Sequence, residues 1–279
     1  MSHEETAQRR PLRVMTYNIH GWDGGDHRLD VSRLAQVIRS AHADVVTLNE
    51  VIHPVMVGGD TREPLAELAS RLDMHFAFGP SDWEDHYPGW NGPLGNAILS
   101  RYPLSDTNNT LLPKPSRTKQ RSLLEARLNG GPANGLTASV THLDHAFEGT
   151  RMVQLKAVLR HLRQHGLHFI AGDFNTPGFP GARTRYLMPP ILLMMRRAGY
   201  LDAFHVAGQG RGHTFPANLP LVRIDYLFLP ARWAPGLRSA HVPNMHIARY
   251  ASDHRPVVAE WAWPEGHPGR PAAQSSVAL

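Results

Sequence analysis

The chain has 279 residues, no cysteine, 18 histidines and 24 Asp plus Glu. That inventory excludes a disulfide scaffold, zinc fingers, iron–sulfur ligation and a cysteine nucleophile, and leaves oxygen and imidazole as the metal donors. With 42% hydrophobic and 19% charged residues and a formal charge of +5, it is too apolar for disorder and long enough to bury a core, and its charge, spread along the chain, does not select a partner.

Residues 1–11 are polar and of mixed charge, with no apolar h-region, which predicts a disordered tail without a signal peptide and a cytoplasmic location. Arg13–Ile19 reads as the first strand. Asp30 is placed to cap a helix carrying Val31, Leu34, Ala35, Ile38 and Ala41 at helical spacing, and Asp44–Asn49 follows as a strand. Residues 80–95 (PSDWEDHYPGWNGPLG) read as a loop whose Trp83, Tyr87 and Trp90 either stack on a ligand or anchor the loop itself. Asn96–Ser100 is the next strand. Residues 113–121 (PKPSRTKQR) place Lys114, Arg117, Lys119 and Arg121 in either a phosphate-attracting patch or a solvated basic turn.

Strands are expected at Leu123–Leu128 and Thr137–His142, then a helix through Met152, Leu155, Val158, Leu159 and Leu162 that stops near Gly166. His168–Ala171 is a strand. A helix over about 190–198 ends at Gly199, and its Ile191–Met195 run is too short to span a bilayer. Ile224–Leu229 and Pro256–Trp261 complete the strands, and residues 265–279 read as a second disordered tail. No linker divides residues 12–264, so one domain is expected. Strands outnumber helices and several are consecutive, which favours antiparallel pairing and excludes a plain parallel doubly wound sheet.

The strand ends carry the chemistry. Val14–Tyr17 runs into Asn18, Val45–Leu48 into Asn49 and Glu50, Leu136–Thr141 into His142, and Phe169–Gly172 into Asp173, Phe174 and Asn175. Asp225 lies within RIDYLFL, and Ser252-Asp253-His254 opens the last strand. One acid at a strand end is commonly a turn residue; six such endings drawn from Asn, Asp, Glu and His point to one cleft. Hard oxygen donors suit Mg²⁺ or Mn²⁺, a histidine beside such an ion can activate water, and an aspartate can fix that histidine's tautomer. The residues alone therefore suggest metal-assisted hydrolysis of a phosphate ester.

Seven segments, RVMTYNIHGW (13–22), DVVTLNEV (44–51), GNAILSRYPL (95–104), THLDH (141–145), AGDFNTP (171–177), RIDYLFLP (223–230) and SDHRPVVAEW (252–261), together closely resemble the endonuclease/exonuclease/phosphatase superfamily of DNase I-like enzymes. The resemblance implies an α+β fold, a four-layer α/β/β/α sandwich of two mostly antiparallel mixed sheets flanked by helices. It implies Glu50 as principal Mg²⁺ ligand (Mn²⁺ being the alternative), with Asn18 and Asp253 beside it. His254 would be the base, oriented by Asp225. Asp173 and Asn175 would position the water or leaving group, His142 would donate to a phosphate oxygen, and Asn96 would make a substrate-side contact.

One departure stands out: Asn49 occupies the position before the metal-binding Glu where the family commonly has Gln. His142 is similar to the DNase I and sphingomyelinase branches, whereas abasic-site endonucleases favour Tyr there. His20, His53, His75, His86, His161 and His165 are expected on the surface or in loops, Asp144 and His145 as turn caps, and Ser252 lacks the Gly-x-Ser-x-Gly elbow of a nucleophile. Without a basic arm, the expected substrate is a small phosphoester or lipid headgroup, with a nuclease as runner-up, acting as a monomer without a transmembrane segment.

Overall fold

The computed structural model describes residues 11–87, 89–115, 117–178 and 188–262. The expected tails, Pro11 excepted, and the expected domain end at residue 264 lie outside these, whereas the expected domain start at Leu12 lies within them. The first part of the chain runs β1 (Leu12–Asn18), α1 (Val31–Ala41), β2 (Val45–Ile52), β3 (Val55–Val57), β4 (Asp60–Arg62), α2 (Pro64–Leu72), β5 (His75–Glu84) and β6 (Trp90–Ser100). The middle adds β7 (Leu104–Leu111), β8 (Ser122–Leu128), β9 (Thr137–His142), α3 (Glu148–Leu162) and β10 (His168–Gly178). The remainder is α4 (Pro190–Arg197), β11 (Tyr200–Asp202), α5 (Ala203–Ala207), β12 (Gly208–Gln209), β13 (Arg223–Pro230), β14 (Leu237–His241), α6 (Ala248–Ala251) and β15 (Val257–Trp261).

These strands form two mixed sheets. One is ordered β12-β14-β15-β1-β2-β6-β3-β4, with β5 also paired to β6; the other is ordered β11-β13-β10-β9-β8-β7. Alternation along the strands divides three apolar layers. In β1, Val14 faces the other sheet while Met15 and Tyr17 face α1; in β10, Phe169 and Ala171 face inward while Ile170 faces α3 and α4. Val45, Ile98, Leu124, Val140 and Leu227 fill the space between the sheets. Helix, sheet, sheet and helix thus stack as four layers, the architecture expected from the resemblance.

The Asp30 side chain caps α1, accepting from Ser32 N at 2.9 Å and Arg33 N at 3.3 Å. All eight expected strands are present. The reading of 80–95 as a loop needs correction: β5 and β6 form a long antiparallel pair from His75↔Ser100 to Glu84↔Gly92. No helix among the described residues is long and apolar enough to cross a membrane.

Candidate active site

Register brings the polar strand ends together. β1 and β2 are parallel with Asn18 beside Asn49, β9 and β10 are parallel with His142 beside Asp173, and β13 runs antiparallel to β10 with Asp225 opposite Asp173. The glycine of AGDFN is needed for that approach: Gly172 has φ +137°, and a Cβ there would collide with the Thr141 carbonyl oxygen. Two strands bulge where they carry site residues. The β2–β6 register shifts between Leu48 and Val51, and the β10–β13 register between Asp173 and Gly178. Glu50 (φ +53°) and Asn175 (φ +49°) sit in these bulges in left-handed conformation, each at a cost of order 1–3 kcal/mol that a bulge incurs to re-aim a side chain.

Glu50 and Asp253 are the partly exposed acids of the group, whereas Asp173, Asp225, His142 and His254 are buried. Asn18 Nδ2 donates to Glu50 Oε1 and to Asp173 Oδ2, both at 3.1 Å, while Asn18 Oδ1 accepts from His20 N at 3.0 Å. Asn18 therefore turns its amide nitrogen toward the carboxylates and ties the two sheets together; its oxygen, the atom a metal would need, faces the backbone. Tyr87 Oη donates to Glu50 Oε2 at 3.2 Å. Asn175 N donates to Asp173 Oδ1 at 2.8 Å, and Asn175 Nδ2 lies 2.9 Å from His142 Nε2 and donates to Leu143 O at 3.0 Å.

His254 Nδ1 is 2.9 Å from Asp225 Oδ2, so Nδ1 carries the proton and Nε2 faces Asp173 Oδ2 at 3.8 Å and Asp253 Oδ1 at 3.9 Å. The Phe215 ring packs 4.9 Å from the imidazole. Ser252 Oγ donates to Asn18 O and accepts from His254 N, so this serine braces the turn, in keeping with the rejection of a serine nucleophile. Burial alone would lower the His254 pKa, but the adjacent Asp225, then Asp173 and Asp253, outweigh it and push it up. Burial, then repulsion from Asp225, raises Asp173. Asp253 is raised first by burial, with Glu50 and Asp225 adding repulsion against the pull of His254 and His20. Burial, then the Arg121 charge, holds His142 well below the ordinary imidazole value.

This donor set fits a hard divalent cation. Crowded carboxylates are driven toward their protonated forms, and a cation would relieve that pressure. Ligand atoms of Asp173, Asp225 and His254 lie within 4.8 Å of one another, but the buried imidazole is already committed to Asp225. The acids a cation could reach from solvent are Glu50 and Asp253.

Other site residues carry roles that residue type did not announce. Asn49 Nδ2 donates to Asn96 Oδ1 (2.7 Å) and Thr141 O (3.1 Å), and its Oδ1 accepts from Asp173 N (2.8 Å). Asn96, expected on the substrate side, is buried and also gives its Nδ2 to Ser122 O at 3.1 Å; its amide is engaged inside the protein. The basic stretch is only partly a solvated turn: Lys119 Nζ pairs with Glu84 Oε2 at 2.6 Å, and Arg121 is buried with Nη1 3.0 Å from His142 Nδ1. Tyr87 stacks on Trp90, whose Nε1 donates to Gly21 O, so these two aromatics anchor their own segment. His20, expected to be uninvolved, lies with Nε2 3.9 Å from Asp253 Oδ2. Asp144 accepts from Ala146 N and Phe147 N ahead of α3, as a turn cap does. The separations, 124 residues between Asn49 and Asp173 for instance, explain why such contacts leave no local signature.

Comparison with known proteins points the same way. Residues 15–254 match the sequence model of the Endonuclease/Exonuclease/phosphatase family. The chain is 29% identical over 272 residues to the uncharacterized protein YbhP of Escherichia coli K12, covering 92% of this chain and 98% of the relative. Among solved structures, an endonuclease/exonuclease/phosphatase from Beutenbergia cavernae superposes with a TM-score of 0.77 at 28% identity, covering 91% of this chain and 72% of that one. A mannosyl-6-phosphatase of Bacteroides thetaiotaomicron shares the fold, with a TM-score of 0.68 at 17% identity over 90% of this chain and all of the other.

Proposed function

Because this chain belongs to the endonuclease/exonuclease/phosphatase family, a family of phosphoester hydrolases, we propose that it is a Mg²⁺-dependent phosphoesterase acting on a small phosphodiester or phosphomonoester or a lipid headgroup. The observation that carries this reading is the disposition of His254: Nδ1 on Asp225, Nε2 turned toward Asp173 and Asp253. In its neutral form, which a bound cation would favour by offsetting the carboxylates that push its pKa up, His254 takes a proton at Nε2 from a water attacking in line with the leaving group, and Asp225 stabilises the imidazolium that results. Glu50 and Asp253 hold the ion, with Mn²⁺ as the alternative, and Asn18 orients Glu50 from behind. The bound ion supplies Lewis-acid polarisation of the phosphate oxygens. Asp173 and Asn175 position the water or the leaving oxygen, and His142 donates to a phosphate oxygen.

The local charge favours a small substrate over a nucleic acid. Binding a polynucleotide needs several cations along its phosphates, yet within 113–121 Lys119 is paired with Glu84 and Arg121 is buried. The fold it shares with a mannosyl-6-phosphatase supports monoester hydrolysis by a sandwich of this kind.

The test is a hydrolysis panel of p-nitrophenyl phosphate, bis-p-nitrophenyl phosphate, sphingomyelin, inositol phosphates, plasmid DNA and RNA, with Mg²⁺ or Mn²⁺ and with EDTA. Turnover is expected with the ions and not with EDTA. Glu50→Gln and His254→Ala are expected to lower kcat on the order of 10²–10⁴-fold with circular dichroism unchanged. Full turnover in EDTA or in either variant refutes the mechanism. Preferred cleavage of DNA, with kcat/KM falling steeply as salt rises, assigns the same centre to a nuclease.

A further inference from the structure

Among the described residues, the two most exposed large apolar side chains are Leu219 (65%) and Leu221 (62%). They share one turn between β12 and β13. Scattered exposed leucines need no explanation, but these two stand on a turn that is fixed in place and joined to the site. Phe215 and Val222 form an antiparallel bridge, with Thr214 N donating to Val222 O at 2.8 Å, Val222 N to Phe215 O at 3.1 Å and Leu221 N to Phe215 O at 2.9 Å. The same turn is tied to the segment that carries Asp253 and His254. Ala217 N donates to Asp253 O at 2.6 Å, Arg255 N to Thr214 O at 2.7 Å and Arg255 Nε to Ala217 O at 2.7 Å. With the Phe215 ring on His254, the leucines border the cleft on a braced hairpin, where solvent-facing residues are ordinarily polar.

The charge along this part of the chain is of one sign. From Ala203 to Ser252 the single acid is Asp225, which is buried, against five arginines. Arg223 is paired with Asp202, but Arg211 and Arg249 are exposed and form no ion pair among the described residues. Arg255 gives its Nε to a carbonyl and likewise has no carboxylate partner there; burial, then the nearby Arg249 charge, lowers its pKa. Apolar side chains held out beside unpaired cations match a lipid bilayer, whose acyl boundary takes the leucines and whose anionic headgroups take the arginines. A nucleic acid would engage the cations and offer nothing to the leucines. A second copy of this chain would bring the same cations against one another.

We propose that the 214–222 hairpin is an interfacial anchor that seats the cleft on an anionic lipid surface, so that the phosphoester hydrolysed is a headgroup presented by that surface. The hydrolysis rests on the phosphoesterase reading; the docking does not. Two leucines alone give a reversible foothold, and the arginines supply the second signal that stable anchoring requires. Because the turn is hydrogen-bonded to the residues on either side of His254, insertion of the leucines fixes the distance between the surface and the cleft.

The full chain is sedimented in EDTA with vesicles of phosphatidylcholine, alone or with roughly 30% phosphatidylglycerol, so that binding is read without turnover. Binding to the mixed vesicles is expected to exceed that to the neutral ones by about 10-fold or more, and to weaken steeply as salt rises from about 0.05 to about 0.3 M. Leu219→Glu combined with Leu221→Glu is expected to lower it about 10-fold or more with circular dichroism and Tm unchanged, because both side chains already face solvent. Arg249→Glu, which leaves the hairpin intact, is expected to lower binding about 5-fold or more on mixed vesicles and not on neutral ones. With Mg²⁺, turnover of vesicle lipid by the double variant, relative to p-nitrophenyl phosphate, falls as its binding falls. Equal binding to both kinds of vesicle, binding to neither, or full binding by the double variant overturns the proposal. So does tighter binding of plasmid DNA that the leucine changes do not affect, or a dimer in light scattering that the double variant dissolves. If vesicles are bound but no phosphoester is hydrolysed, the phosphoesterase reading fails and the docking stands; turnover of soluble esters without vesicle binding gives the reverse.

Discussion

Burial and partner, more than residue type, decide what each histidine does. His168, at the start of β10, is 2% exposed; its Nε2 is 2.7 Å from Tyr200 Oη and its Nδ1 3.3 Å from Gly166 O. Because a carbonyl only accepts, Nδ1 holds the proton and Nε2 accepts from the tyrosine. Burial, with the charges of His165 and Arg232 adding to it, lowers this pKa to about 4. In the unfolded chain the same group titrates near 6.5. Between those values the unfolded state takes up a proton that the native state refuses, so stability is full above about pH 6.5 and is lost as pH falls toward 4, by about 3 kcal/mol from this group. Urea unfolding at pH 7 and at pH 4.5 should therefore show a smaller acid loss in His168→Gln than in the unmodified chain. Equal losses would mean that His168 is protonated in the fold. At this scale the sequence displayed the acids and amides at strand ends but not who held them. Arg121 looked like one basic letter among four because nothing local says that its partner is His142.

Between elements, the site depends on two bulges and one amide. Asn49 reaches from β2 across to β9 and β10, joining the two sheets at the edge where the site is built. Asn49, the shorter amide where the family commonly has Gln, makes three hydrogen bonds because the sheets close to within its reach. Asn49→Ala would leave Asp173 N and Asn96 Oδ1 buried and unpaired, at a cost of about 2–4 kcal/mol, or roughly 5–12 °C in Tm for a chain of this length. The freed Asp173 would also lower kcat, and a variant as stable and active as the parent would show that Asn18 alone holds the sheets in register. Elements were legible where both faces are covered and the strands are continuously apolar, as in β1, β2 and β10. The β5–β6 pair was not, because its glycines and prolines read as a loop. Gly95 is there for packing, since a Cβ would strike the Gly79 backbone of the partner strand. α2 begins at Pro64, a residue favoured at the first helical position, but has no side-chain cap, so only a weak start signal preceded Leu65, Leu68, Ala69 and Leu72.

For the whole molecule, the formal charge of +5 conceals a cleft that gathers Glu50, Asp173, Asp225 and Asp253 where the two sheets meet. Such a cleft is held together by the fold against its own repulsion, as active sites commonly are. The seven segments from residue 13 to residue 261 revealed the family and hence the sandwich, while the price in stability is visible only in the assembled structure, where Asp253 and Asp173 are raised by burial and by neighbouring carboxylates. Two opposed consequences follow for metal binding. An ion held by Glu50 and Asp253 binds the native state alone, so Mg²⁺ at 100 times its Kd should stabilise the chain by about 2.7 kcal/mol, roughly 5–10 °C in Tm. Glu50→Gln removes a negative charge that opposes Asp253, so in EDTA that variant should melt no lower than the unmodified protein, while its response to Mg²⁺ should largely vanish. Thermal unfolding of both proteins, with EDTA and across a Mg²⁺ titration, checks the two expectations at once. A variant that melts lower in EDTA and still responds fully to Mg²⁺ would mean that Glu50 is a structural acid and that the ion is held elsewhere in the cleft.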